Sequence, residues 1–152
     1  MTALRRAHRD ERGQVGGLEA IPFGILVFVI GSLLAGAAWA VIDAKLAVVS
    51  AAREAARTYV EADSADEGVE EGSAAAREAM ANHGRQAPLE VTFDEPPDFT
   101  RCAQVVARVS YEVPAVPLPW IGGLGTTTVS ARHSERIDPF RDGIPGEAEC
   151  PP

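Results

Sequence analysis

The sequence predicts an α+β chain: a long N-terminal helix that crosses a membrane and continues outside it, a second helix, and a three-stranded antiparallel sheet. Three observations predict this. Residues 20–42 carry no charge, residues 43–62 are rich in strong helix formers, and three later segments alternate apolar and polar residues with period two.

The uncharged stretch from Ala20 to Ile42 reads AIPFGILVFVIGSLLAGAAWAVI, in which only Ser32 is clearly polar. A membrane helix needs roughly 20 predominantly apolar residues at about 1.5 Å each, whereas the helix of a soluble core shows polar residues at helical spacing. The stretch is therefore a transmembrane helix, and Pro22 lies in its first turn, where a missing N–H costs little. Residues 1–19 form a basic tail, with Arg5, Arg6, Arg9 and Arg12 against Asp10 and Glu11, and with Gly16 and Gly17 as a flexible lead-in. Basic residues flanking a span stay on the cytoplasmic side. This puts the N-terminus in the cytoplasm and residues 43–152 outside, a single-pass arrangement in the cell membrane. The competing reading is a cleaved secretory signal, for which Ala35, Ala37 and Ala40 offer a small-x-small site and a mature start near Trp39 or beyond. The apolar run exceeds the roughly 7–15 residues of such a signal, and the helical pattern continues past it, which favours a retained anchor.

The chain holds 22 acidic and 14 basic residues, a net charge of −8 that arises beyond the span. An acidic exterior excludes nucleic acid as a partner and disfavours docking on anionic lipid head groups.

From Asp43 to Ala62 the sequence DAKLAVVSAAREAARTYVEA continues the helix, with Arg57 and Glu61 placed to pair across one turn. Leu46, Val49, Ala52, Ala56, Tyr59 and Val60 are expected to form its core-facing stripe. Residues 20–62 make a rod of about 65 Å, about twice the hydrocarbon thickness. Asp63 to Gly68 reads as a polar break, and Val69 to His83 as a second helix capped by Gly84. Leu89 to Phe93, Cys102 to Val113 and Thr126 to Arg136 read as strands. In the second of these, Val105, Ala107, Val109, Tyr111 and Val113 face one way, while Gln104, Arg108, Ser110 and Glu112 face the other, as in a sheet covered on one side. The link PAVPLPWIGGLG excludes a central strand by its prolines and exposes Trp120 and Ile121, and the tail after Asp138 is irregular.

Cys102 and Cys150 both fall on the outer side, where disulfides persist; a bridge between them ties the tail to a strand, the alternative being two free thiols. Gly24, Gly31, Ala35, Gly36 and Ala40 permit close helix contact within lipid, although membrane helices are glycine-rich in any case. The acids Glu61, Asp63, Asp66, Glu67, Glu70 and Glu71 fail the calcium-loop pattern, which requires acids where Ala65 and Ala74 stand, and read as a solvated face. His8, His83 and His133 lack metal-ligand spacing with the cysteines. Neighbours on a strand, His133, Ser134 and Glu135 do not converge as a triad. No phosphate loop, nucleophile elbow or zinc signature is present, so the expectation is a protein that is not an enzyme and holds no cofactor or metal.

Glu19 stands at the mouth of the apolar run, where a carboxylate either sits among head groups and favours the helix N-terminus or needs a cationic partner. The surrounding string carries a resemblance. Glu11-Arg12-Gly13-Gln14-Val15 followed by Glu19 and an apolar helix with an early proline resembles the N-terminus of TadE-like proteins of the tight-adherence (Flp-type) pilus system. Leu46–Arg57, Val109-Ser110-Tyr111-Glu112-Val113-Pro114, Val129-Ser130-Ala131-Arg132-His133 and Asp138-Pro139-Phe140-Arg141 are similar, in that order, to the family's later segments. The resemblance implies a pilin-like fold and a structural role in assembling an adhesive pilus. It implies other pilin-like subunits and the inner-membrane assembly platform as partners, a prepilin peptidase that cuts between Gly13 and Gln14, and an assembly role for the Glu19 carboxylate. The chain departs from the pattern in one respect: cleavage after Gly13 makes Glu19 the sixth mature residue rather than the fifth, with Gly16 and Gly17 as the place of the added residue. A permanently anchored, unprocessed chain is the other outcome. Outside the resemblance, the residues also fit a membrane-tethered extracytoplasmic binding module unrelated to pili.

Overall fold

A computed structural model describes residues 12–86, 88–94, 96, 98–116 and 124–150, with the side chains of 12–19, 116 and 124 outside the description. The elements run α1 (Arg12–Glu61), α2 (Ala65–Asn82), β1 (Leu89–Asp94), β2 (Gln104–Val116) and β3 (Leu124–Arg136). The strands form one antiparallel sheet in the order β1-β2-β3.

Helix α1 is a single element of 50 residues with Pro22 inside it, about 75 Å long at 1.5 Å per residue. It begins at Arg12, earlier than the apolar run, so the glycine lead-in is helical: extending an existing helix needs no new nucleus. Trp120 and Ile121 lie outside the described residues.

The outer half of α1 is the wall of the core. Ala44, Ala47, Val48, Ala51, Ala52, Ala55, Ala56 and Tyr59 are buried at the i, i+3, i+4 spacing of one broad helical face. The expected stripe is thereby corrected: Leu46 is 61% exposed and Val49 36%, while the alanines beside them are inside. Two layers press on this face, α2 along one side and the inner face of the sheet along the other, and both approach closely because alanine projects little.

Helix α2 returns antiparallel to α1 after a three-residue turn. Ser64 caps it, accepting from the Glu67 N–H at 3.4 Å, while the Glu67 carboxylate reaches back to the Asp63 N–H at 3.1 Å. This capping pair starts α2 at Ala65, earlier than the expected Val69. At the other end Gly84, at φ +72°, donates to the Ala81 carbonyl at 2.8 Å, and the Arg85 N–H to that of Met80 at 3.1 Å. That pattern closes a helix in the left-handed residue that glycine accepts most readily. The helices touch through Gly68 and Gly72. A Cβ on Gly68 would lie 2.9 Å from the Tyr59 ring, and one on Gly72 2.8 Å from the Ala55 carbonyl oxygen and 2.9 Å from Phe93.

In β2, Val105, Ala107, Val109, Tyr111 and Val113 are all buried, as their alternation predicts, joined by Val129 of β3 and flanked by Leu89, Val91 and Phe93 of β1. Phe93 stacks on Tyr59 at 5.2 Å between ring centroids, and Phe99 meets the same ring edge-on at 5.8 Å. β2 continues through Pro114 to Val116, although prolines in this stretch were expected to exclude a central strand. β1 stops opposite Tyr111, so at Pro114 the strand has a neighbour on one side only, and one edge of the ladder needs no donor there.

Gly72→Ala is expected to destabilise the domain. The methyl group meets backbone and ring, an overpacking cost of about 1–3 kcal/mol, against a helix-propensity gain of about 1 kcal/mol. Chemical denaturation of the full chain in detergent reads this as a lower midpoint, whereas Gly31→Ala, whose Cβ meets nothing within 4 Å, does not lower the midpoint.

Candidate functional site

The inner half of α1 projects from the domain uncovered. Ile21, Phe23, Ile25, Leu26, Phe28, Leu34, Trp39 and Ile42 are exposed, and the helix is long and apolar enough to cross a membrane. Trp39, Ile42, Leu46 and Val49 follow one another at spacings of three, four and three, which places them on one face. This face therefore runs out of the apolar segment and past Asp43 by two turns. Gly13, Gln14 and Glu19 lie in the first turns of α1, and their side chains are outside the described residues.

A collar marks where the rod meets the domain. The Arg85 guanidinium, just past the α2 cap, donates to the Asp43 carboxylate at 2.6 Å and to the Ala40 carbonyl at 3.4 Å, and lies 5.7 Å above the Tyr111 ring. Its side chain is only 17% exposed, so the ion pair is partly screened from water and ties α1, α2 and β2 at one level. Below the collar Ala37 is still buried, so the domain reaches down over the last turns of the apolar run. Lys45 adds a bond from its ammonium to the Ser130 carbonyl of β3.

The far end of α1 is closed by the C-terminal tail. Arg141 donates to the Val60 and Glu61 carbonyls and, at 3.0 Å, to Asp63, so a cation satisfies acceptors that the last turn leaves without intrahelical partners. The tail itself is irregular but pinned. Ile137 and Ile144 are buried, Arg101 holds the Arg141 carbonyl at 3.0 Å, and the Arg101 N–H bonds the Pro145 carbonyl at 2.8 Å. Cys102 and Cys150 form a disulfide with Cα atoms 5.2 Å apart across 48 residues of chain. Cys102 takes φ +66°, a left-handed conformation that costs a non-glycine residue roughly 1–2 kcal/mol and that the bridge and the Cys102 N–H to Ile137 carbonyl bond hold in place.

The outer face of the sheet is polar. Arg108 binds Asp94 with two donors, at 2.6 and 3.0 Å, and the Glu90 carboxylate accepts from Ser110 at 3.0 Å. The hydrogen bond from Arg108 holds the Asp94 carboxyl below the usual carboxylate range, and the same contact raises Arg108. Arg132 stands directly opposite Arg108 in the register, and no carboxylate of the described residues lies within ion-pair distance of it. His133 and Glu135 pair at 3.1 Å on the inner-facing side of β3, with Ser134 turned to the other face. The hollow where β1 stops, lined among others by Glu90, Ser110, Glu112 and Thr128, gathers carboxylates and hydroxyls without a neighbouring base. Among the described residues no group of three or more His, Cys, Asp or Glu is gathered to hold a metal.

Comparison with protein-family models, curated proteins and solved structures finds no match to this chain. Function is therefore argued from the geometry above. The sequence marked Cys102 and Cys150 but missed Arg85 and Arg141, whose partners lie 42 and 81 positions away.

Two outcomes follow. Arg141→Ala leaves the Val60 and Glu61 carbonyls without their charged donor, and is expected to cost about 1–2 kcal/mol and to speed amide exchange in the last turn of α1 first. For Asp94, a carboxyl depressed in the folded state adds stability above the ordinary aspartate range and loses it as pH falls through the folded value. A carbon-detected carboxyl titration should show Asp94 ionising below the ordinary aspartate range, and Arg108→Gln should return it to that range.

Proposed function

We propose that the protein is a non-catalytic, membrane-anchored assembly subunit, a pilin-like protein of the TadE type that takes part in building a Flp-type adhesive pilus. Its N-terminus lies in the cytoplasm and its acidic α+β domain outside. The observation that carries this reading is the apolar face of α1. Lipid covers such a face only within the bilayer, yet Leu46 and Val49 stay exposed beyond the first charged residue after the span. A neighbouring helix emerging from the same membrane covers them, because a partner anchored alongside brings its own helix to the same level. Within lipid the same face continues through small residues that let helices approach. The order of the family-like segments from Glu11 to Arg141 selects pilin-like subunits and the assembly platform as the neighbours, with Glu19 as the carboxylate that meets a partner's amine.

The reading predicts that the full chain, cross-linked in its native membrane, is recovered with other pilin-like subunits. Leu46→Glu with Val49→Glu should lower that recovery by about tenfold or more, the equivalent of about 1.4 kcal/mol, while membrane fractionation is unchanged. Recovery of wild type and variant alike as an isolated monomer contradicts the assembly role and favours a tethered binding module. Mass spectrometry of the mature chain adds a second reading: a start at Gln14 marks peptidase processing, and Met1 a permanent anchor.

A further inference from the structure

Charge is unevenly spread over the exposed surface of the domain. The helical layer presents Asp66, Glu67, Glu70 and Glu71 on the exposed side of α2. The open face of the sheet carries Arg108 and Arg132 side by side across β2 and β3 with Arg136 beyond them, while Asp94 pairs with Arg108 and Glu90 and Glu112 lie toward its other end. Like charges directly opposite on neighbouring strands destabilise a sheet. Asp94 relieves Arg108, but Arg132 meets no carboxylate of the described residues within ion-pair distance, in a chain whose net charge is −8. A pair of guanidiniums held together on an exposed face of an acidic protein is a surface that a second anionic surface would complete.

We propose that the open face of the sheet at Arg108 and Arg132 docks the acidic face of α2 from a second copy of this chain. The inference rests on the assembly reading above and names one contact within it. Membrane anchoring supplies the geometry. Copies inserted in the same sense stand side by side with their domains at equal height. Relating two copies by a two-fold axis along the membrane normal would bring like faces together, acid to acid or arginine to arginine. Translation brings helix layer to sheet layer, the heterologous contact that propagates from copy to copy. Gly68 and Gly72 lie against Tyr59 and Ala55, so the α2 acids stand level with the outer part of α1; β3 climbs from Ser130, tied to Lys45, through Arg132 toward that same end. Exposed charges of this kind set register and association rate, and they weaken with salt.

The test is a charge exchange on the full chain in vesicles of uncharged lipid, read by energy transfer between labelled copies. Arg132→Glu and the pair Glu70→Lys with Glu71→Lys each place like charges across the contact. Each variant alone should associate about tenfold more weakly than wild type. Mixed together, the two variants regain complementary faces at both contacts and should recover wild-type transfer, and raising the salt concentration should erase the difference. These positions are exposed, so circular dichroism spectra should be unchanged. If both variants alone associate like wild type, the spans carry association and the proposed contact is overturned while the assembly reading stands. If Arg132→Glu fails and its mixture with the α2 variant does not recover, the sheet face takes some other anion, and the proposal is likewise overturned. A wild-type chain that shows no transfer overturns self-docking, while the assembly reading, which concerns other pilin-like subunits, is decided separately by cross-linking in the native membrane.

Discussion

Everything outside the apolar segment is built on one contact surface, the alanine face of α1 from Ala44 to Ala56. It is buried from two sides at once, by α2 and by the sheet, and alanine permits this because a methyl group lets a helix or a strand approach the backbone closely. Gly68 and Gly72 make the same provision on the facing helix. A domain folded around one half of a helix whose other half is long and apolar enough to cross a membrane cannot move independently of that apolar segment. The collar of Asp43, Arg85 and Tyr111 at one end, and Arg141 on the last carbonyls at the other, join the same rod to the rest of the chain. Orientation of the head relative to the membrane is thus set by the helix and not by a linker.

How much of this was legible follows from the range of each signal. The sheet could be read because a period-two pattern is local: Val105 to Val113 alternate in sequence and are buried in that alternation. Helix α1 could be read because no charge interrupts the apolar run from Ala20 to Ile42 and helix formers follow. Its core-facing side was legible in part: Ala52, Ala56 and Tyr59 of the apolar stripe are buried, but helical spacing alone does not show which flank of the stripe the two layers cover. Leu46 and Val49 are larger than their alanine neighbours and lie outside, since two close layers leave room only for methyl groups. The start of α2 was legible in Ser64 and Glu67, a capping pair passed over as part of a polar break. Arg85 and Arg141 were not legible, because each acts on a partner that only the fold brings near.

The same surplus of apolar surface that misled the core assignment carries the functional reading. Under the proposed function, the face that the domain leaves uncovered beyond the apolar segment is covered by a neighbouring membrane helix. In the proposed assembly, the rod supplies adhesion between subunits, and the α2 acids with the Arg108 and Arg132 pair supply their register.

The central claim is that one uninterrupted helix is lipid-covered along its inner half and core-covered along its outer half. Nitroxide scanning along α1 in vesicles, comparing collisions with dissolved oxygen and with a water-soluble relaxing agent, measures this directly. The account predicts oxygen-accessible, water-shielded positions from Ile21 to Leu34, and renewed access of the water-soluble agent at Arg53, Glu54 and Arg57, the side of α1 that the core leaves open. Free access of the water-soluble agent to Ile25, Phe28 and Leu34 would contradict it.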